Sequence, residues 1–339
     1  MLIRRPHGFE LPEALATSET VFHARRRFLR AAGCAGVGAL ALGCSPGEGR
    51  AATGKVAPGS PGPGLRGEGA VREALRLHPS VYPSPRNARF TLDRPLTDEQ
   101  AALSYTNFYE FKNDKELVAS RAAELTLRPW TVEVTGLVEK PFLIDVDTLL
   151  RKLPSEERLY RHRCVEAWAM AVPWTGTPMK AFVDRCRPRS AARFVRFVSF
   201  LRPEEAIGQR EDRWYPWPYY EGLSLAEATN DLTLLATGIY GKPLPPQHGA
   251  PIRVVTPWKY GYKSIKSVVR VEFVKEQPPT FWNDLEPAEY DFLSNVNPAV
   301  PHPRWSQASE RMLGTGERRP TQPYNGYGEW VAQLYTRAS

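Results

Sequence analysis

The 339-residue sequence predicts one mixed α+β domain, rich in strands and carrying short, scattered helices. Three observations support this expectation. Proline (32) and glycine (25) are abundant, which argues for turns and irregular backbone rather than a helical bundle. Hydrophobic residues make up 42% and aromatics 11%, enough to fill a large core. Stretches alternating apolar and polar side chains recur between turn residues, while the helical patterns are short.

Along the chain, Arg25-Arg26-Arg27-Phe28-Leu29-Arg30 opens a weakly apolar run from Ala31 to Leu42. Twin arginines before Phe-Leu and a short apolar run fit a twin-arginine (Tat) export signal, assigned to residues 1–52. The run is too short and glycine-rich to stay in a bilayer as a spanning helix. The protein is therefore expected in the periplasm, delivered folded by a route suited to a cofactor inserted beforehand. Cys34 and Cys44 fall in this leader, which leaves Cys164 and Cys186. The stretch 45–70, rich in Gly, Pro and Ser, reads as a flexible tether. The expected division is leader 1–52, linker 53–74 and folded domain 75–339, with no internal repeat.

Residues 130–138 alternate as a strand, Glu139-Lys140-Pro141 turns it, and 144–150 enters a helix. Further strands are expected at 193–200, 232–236, 252–256 and 268–274, and short helices at 179–185 and 223–228. The tail beyond Phe281, rich in proline, asparagine and aromatics, is expected to wrap the domain surface.

The formal net charge is +8. Seven arginines and four glutamates in residues 1–52 account for +3, which leaves +5 for the body. There is no Lys/Arg cluster interleaved with aromatics, and no zinc-finger or RNP-type motif, so nucleic acid is not the expected partner. An anionic ligand or a negative membrane face suits the charge.

Cys164 is the residue most suggestive of chemistry. In Arg161-His162-Arg163-Cys164-Val165-Glu166-Ala167-Trp168, three basic side chains precede the thiol and should favour the thiolate. Such a group serves as nucleophile, redox centre or soft metal ligand. Trp168, Pro173, Trp174 and Gly176 are expected to line its surroundings, and Glu166 to hold an arginine. Cys186, before Arg187-Pro188-Arg189 at a helix end, reads as structural. Asn107-Phe108-Tyr109-Glu110-Phe111 is by itself most simply core packing. The stretch from Pro245 to Lys266 brings Arg253, Lys259, Lys263 and Lys266 among glycines and a serine, a composition that grips phosphate. It has no Walker A or GxGxxG pattern. Neither GxSxG nor HExxH occurs, and the six histidines lack paired zinc spacing.

Together these segments resemble the MsrP (YedY) family, periplasmic protein-methionine-sulfoxide reductase catalytic subunits of the sulfite oxidase superfamily. The words that carry the resemblance are Arg161 to Trp168 with Val172-Pro173-Trp174, and Pro257 to Ser267. Asn295-Val296-Asn297-Pro298 and His302 to Ala308 add to it further on. The resemblance implies a sulfite-oxidase-type fold holding one molybdenum–molybdopterin per chain, with Cys164 as catalytic thiolate ligand to the metal, a soft donor suited to it. It implies that Tyr109, Glu110, Ser199, His248 and Arg253 contact the cofactor, and that Ser264, Ile265 and Lys266 cradle its phosphate. Arg161 and Arg163 become candidates for stabilising the transferred oxygen. Two positions depart from the family pattern. Thr106 stands where relatives carry asparagine, so no cofactor contact is assigned to it, and His248 replaces an asparagine while keeping a hydrogen-bonding edge.

The implied activity is reduction of methionine sulfoxide in oxidised periplasmic proteins, restoring an apolar side chain. Electrons would come from the quinone pool through a haem-containing membrane subunit of the MsrQ type. The rival readings are a sulfite-oxidase-like enzyme acting on another small oxo-compound, and a cofactor-free exported binding protein.

Overall fold

A computed structural model of the protein describes residues 65–336. The signal at 1–52 and the first part of the linker lie outside the described residues. The rest of the linker is not a tether. Gly67–Leu77 is an α-helix that buries Ala70 and Ala74, one turn apart on one face. Composition hid this because the glycines that suggested flexibility stand only in its first turn.

β1 (Leu65–Arg66) pairs antiparallel with β2 (Thr126–Arg128). The chain then moves from β3 (Thr131–Gly136) and β4 (Phe142–Asp145) in one sheet to a long hairpin, β5 (Glu156–Arg163) and β6 (Trp168–Pro178), in another. It returns to the first with β7 (Phe194–Ser199) and β8 (Tyr220–Ser224). β9 (Leu234–Ile239), β10 (Lys242–Pro243) and β11 (Arg253–Val255) belong to the second. β12 (Val268–Val274) completes the first sheet, and β13 (Ser309–Met312) and β14 (Arg318–Pro320) the second.

The first sheet runs β4-β3-β12-β7-β8, with β12 parallel to β3 and its other pairings antiparallel. The second runs β10-β9-β6-β13-β14, with β11 added on β9 and β5 on β6. In β3 the pattern is legible, because Val132 and Val134 face the core and their neighbours do not. In β6 it is not, because every residue but Pro178 is buried.

The helix Met179–Cys186 buries Met179, Phe182, Val183 and Cys186, the stripe of a surface helix. Arg187 ends it in a left-handed conformation (φ 51°). Leu225–Ala228 starts later than its pattern suggests, because Leu223 belongs to β8 and Ser224 forms a capping box with Glu227. Likewise Val146–Lys152 begins after Asp145, whose carboxylate accepts from Thr148 N–H at 3.2 Å. The tail does more than wrap the surface. β13 pairs in parallel with β6, and Val296 and Val331 are buried in the core.

Candidate active site

Cys164 occupies the tip of the β5–β6 hairpin. Its N–H donates to the carbonyl of Trp168 at 2.9 Å, and its own carbonyl accepts from Ala167 N–H at 3.0 Å. These bonds close a three-residue loop in which Ala167 takes the positive φ (66°) such loops require. The C-terminal tail clamps the loop from behind. Trp305 Nε1 and Gln307 Nε2 donate to Val165 O at 2.7 and 2.8 Å, and Arg163 donates to Cys164 O.

In front of Cys164 lies a cavity. Three further segments wall it: the turn around Tyr109 and Glu110, the turn ending at His248, and the loop joining β11 to β12. Because that loop crosses from one sheet to the other, the residues from Gly261 to Lys266 are presented at the sheet junction. Helix Ile207–Glu211 backs the Tyr109 turn, and a Cβ on Gly208 would stand 2.1 Å from Tyr109 O. Only glycine permits that approach.

Of the residues assigned from sequence, Cys164, Tyr109, Glu110, His248, Arg253, Ser264, Ile265 and Lys266 all line this cavity. Ser199 stands behind it at the end of β7. Its hydroxyl donates to the carbonyl oxygens of Lys266 (2.9 Å) and Ser267 (3.3 Å), so it braces the loop rather than facing the cavity.

Four expectations from local sequence are corrected. Burial pushes the Cys164 thiol up to about 12, and Glu166 adds to this, so the protein alone does not favour a thiolate. The flanking arginines are committed elsewhere. Arg161 pairs with Asp93 at 3.1 Å and donates to Gln322 at 2.8 Å, while Arg163 pairs with Glu310 at 3.4 Å. Neither lines the cavity, because alternation along β5 turns both away from the face that presents His162. Glu166 holds Lys115 at 2.8 Å and Asn107 at 3.0 Å, not an arginine. Trp168 lines the cavity, but Trp174 is core, packed under Arg253 at 4.9 Å.

The basic loop divides in two. Lys259 and Lys263 are sequestered in ion pairs with Glu227 (2.5 Å) and Glu221 (2.9 Å). Arg253 and Lys266 face the cavity, and among the described residues neither has a carboxylate within ion-pair reach. Arg253 is 2% exposed and donates only to carbonyls, His248 O at 3.1 Å and Ser264 O at 2.9 Å. Desolvation, reinforced by Arg253, draws Lys266 down to about 7; its ammonium donates to Thr106 Oγ1 at 3.1 Å and to Asn107 O. Thr106, given no role from sequence, is therefore a partner of this cation. Burial raises Glu110 to about 7. Burial, with Lys266 and Arg253 nearby, lowers His248 to about 3, so its imidazole is neutral. His248 Nε2 lies 3.0 Å from Ala102 O, an acceptor, so Nε2 carries the proton and Nδ1 is a bare, buried acceptor without a partner among the described residues.

The residues present fit molybdopterin. Two cations without counter-ions suit its phosphate, and Glu110 with the His248 Nδ1 offers acceptors for a hydrogen-bonding heterocycle. Among the described residues no group of three His, Cys, Asp or Glu is placed to hold a metal. Cys164 presents the cavity with a thiol sulfur, a soft donor. Sequence reasoning missed the aromatic mouth, where Tyr109 and Trp282 meet edge to face at 4.9 Å and Tyr290 packs on Trp282 at 5.3 Å. No local pattern links residues so far apart.

Residues 119–282 match the family model described as an oxidoreductase molybdopterin binding domain. A protein-methionine-sulfoxide reductase catalytic subunit MsrP from Xanthomonas axonopodis is 51% identical over 261 residues, covering 75% of this chain and 81% of its own. An MsrP catalytic subunit from Burkholderia mallei is 43% identical over 338 residues, covering 97% and 94%. Among solved structures, the sulfane dehydrogenase SoxCD from Paracoccus pantotrophus matches with a TM-score of 0.39 at 16% identity, covering 60% of this chain and 47% of that one.

Proposed function

The chain belongs to the MsrP family of protein-methionine-sulfoxide reductase catalytic subunits, and from that premise we propose that it is a molybdenum-dependent reductase of methionine sulfoxide in exported proteins. The observation that carries this reading is the lone Cys164 thiol facing a cavity that also holds two buried cations without carboxylate partners. When bound, molybdenum–molybdopterin supplies an oxygen-atom acceptor that cycles through two electrons. The chain itself anchors and shapes. Cys164 would offer its sulfur to the metal, whose positive charge would favour the thiolate that burial opposes in the bare protein. Arg253 and Lys266 hold the cofactor's phosphate, and the neutral His248 accepts through Nδ1. The aromatic mouth gives the methionine side chain a dry approach. Net reduction consumes two electrons and two protons per sulfoxide and yields thioether and water.

Export is supported by the Arg25-Arg26-Arg27-Phe28-Leu29 signal, and places the activity in periplasmic repair. The relatives' designation as a catalytic subunit supports a second subunit, which we assign as a haem-bearing membrane protein drawing on quinol. Among the described residues, no helix is long and apolar enough to cross a membrane.

Protein matured in a molybdenum-replete host is expected to contain molybdenum and pterin. It should reduce free and protein-bound methionine sulfoxide with a viologen donor, leaving sulfite untouched. Cys164→Ser is expected to abolish turnover in a folded protein. Turnover of sulfite alone, or absence of the metal, would overturn the reading.

A further inference from the structure

A second hollow opens beside the catalytic cavity. Val165 and Tyr262 line both spaces, so the two meet at the loop that carries Cys164. Its walls differ from those of the cavity. Leu293 is 43% exposed and Val300 60% exposed, and both are large apolar side chains facing solvent. Tyr324 and Tyr335 stack nearly parallel at 5.7 Å on another side. Among the described residues no lysine or arginine lines it, and of the two carboxylates there Glu289 is already paired with Arg304 at 2.6 Å. That leaves Asp291, an exposed carboxylate, as the main charge. Exposed apolar side chains gathered in one groove mark a contact surface.

We infer that this groove seats the stretch of polypeptide flanking the oxidised methionine, in extended form, with neutral or basic side chains preferred beside Asp291. The inference rests on the proposed sulfoxide reductase activity and names where its macromolecular substrate lies. A sulfoxide inside the catalytic cavity leaves its own main chain outside it, and the groove adjoins the cavity at Val165 and Tyr262. Apolar contact with Leu293 and Val300, and the tyrosine faces, supply sequence-tolerant affinity of the kind aromatic-lined peptide grooves use. Free methionine sulfoxide has no flanking chain and gains nothing from the groove.

The test compares Leu293→Asp/Val300→Asp with the parent protein, both loaded with cofactor, on two substrates. One is free methionine sulfoxide. The other is a synthetic peptide with a central methionine sulfoxide between leucines and alanines. Fluorescence anisotropy of the same peptide, dye-labelled, gives a binding readout independent of turnover. The expected result is a rise of about tenfold in peptide KM and in its dissociation constant, with kcat and the free-substrate KM unchanged. Equal peptide affinity for parent and variant overturns the groove assignment while leaving the activity intact. A parent that turns over neither substrate overturns the activity, and anisotropy then still decides the groove. Because both side chains are exposed, loss of folding is not expected, and a thermal melt of the variant checks it.

Discussion

Arg163 and Glu310 form an ion pair at 3.4 Å with their side chains 0% and 1% exposed, on the far side of β5 from the cavity. Glu310 also takes Arg94 at 2.5 Å, and Arg163 also holds Gln307 Oε1 at 2.9 Å, Thr321 Oγ1 at 3.2 Å and the Cys164 carbonyl. The carboxylate thus neutralises two sequestered guanidinium groups, one of which steadies the backbone of the cysteine. Glu310→Ala strands Arg163 and leaves Arg94 with Asp93 alone, at 2.9 Å. It is expected to cost about 3–5 kcal/mol of stability, the scale for removing one partner of a buried pair. Urea denaturation measures it, and a loss below about 1 kcal/mol would contradict the role given to this pair.

Gly208 gives a prediction about the cavity wall. A Cβ there meets Tyr109 O at 2.1 Å and Glu110 O at 2.7 Å, both backbone atoms. Gly208→Ala must push the Tyr109–Glu110 turn or its own helix aside. The expected penalty is about 1–3 kcal/mol from overpacking. The displaced wall should also lower the pterin retained after purification, measured by fluorescence of the released cofactor. Full retention with unchanged stability would show that the turn yields freely.

The structure also explains what the residues revealed before folding and what they did not. Strands such as β3 and β12 showed themselves because one face is buried and the other is not. β5 and β6 did not, although they carry the key cysteine. Glu-Glu-Arg-Leu-Tyr-Arg-His-Arg reads as polar, yet Arg158 is satisfied by Glu156 and Tyr160 and Arg163 by Glu310, the last being 147 residues away. Charge flanking Cys164 suggested a thiolate for the same reason it misled. Proximity in sequence says nothing about which face of a strand a guanidinium occupies. Of four loop cations, Arg253 and Lys266 are free for a ligand only because Glu221 and Glu227 neutralise the other two. That division depends on tertiary pairing, and the family resemblance picked out residues that line the cavity where local pattern could not.

Acid stability should depend on Asp147, far from the cavity. Burial works against its charge, but hydrogen bonds from Arg128 and His78 (2.7 Å) outweigh it and hold the carboxyl below its ordinary 3.8. A depressed carboxyl stabilises the fold above its unfolded value and loses that contribution as pH falls through the folded one. Wild type should therefore shed, as pH falls below 3.8, stability that Asp147→Asn has already lost at pH 7. Urea midpoints of the two proteins should converge as pH drops. Parallel curves across that window would contradict the assignment.

Lys266 provides the clearest separation of function from stability. In the cofactor-free protein its ammonium is desolvated, repelled by Arg253 and unpaired by any carboxylate among the described residues. The folded value, about 7, lies below the ordinary 10.5, so the unfolded chain binds more protons between them and stability rises with pH across that interval. Lys266→Met removes the cation but keeps a flexible apolar stem to fill its place against Phe108, over which the ammonium now lies at 4.8 Å. The cofactor-free variant is expected to be as stable as wild type, or more stable by about 1 kcal/mol, at neutral pH. It should also lack the wild-type rise between pH 7 and 10.5. Cofactor affinity should nonetheless fall at least about tenfold, because the phosphate loses one of two cations and Arg253 alone remains. Equal pterin retention in Lys266→Met and wild type would show that Arg253 suffices and that Lys266 serves only to tie Thr106 and Asn107 to the loop.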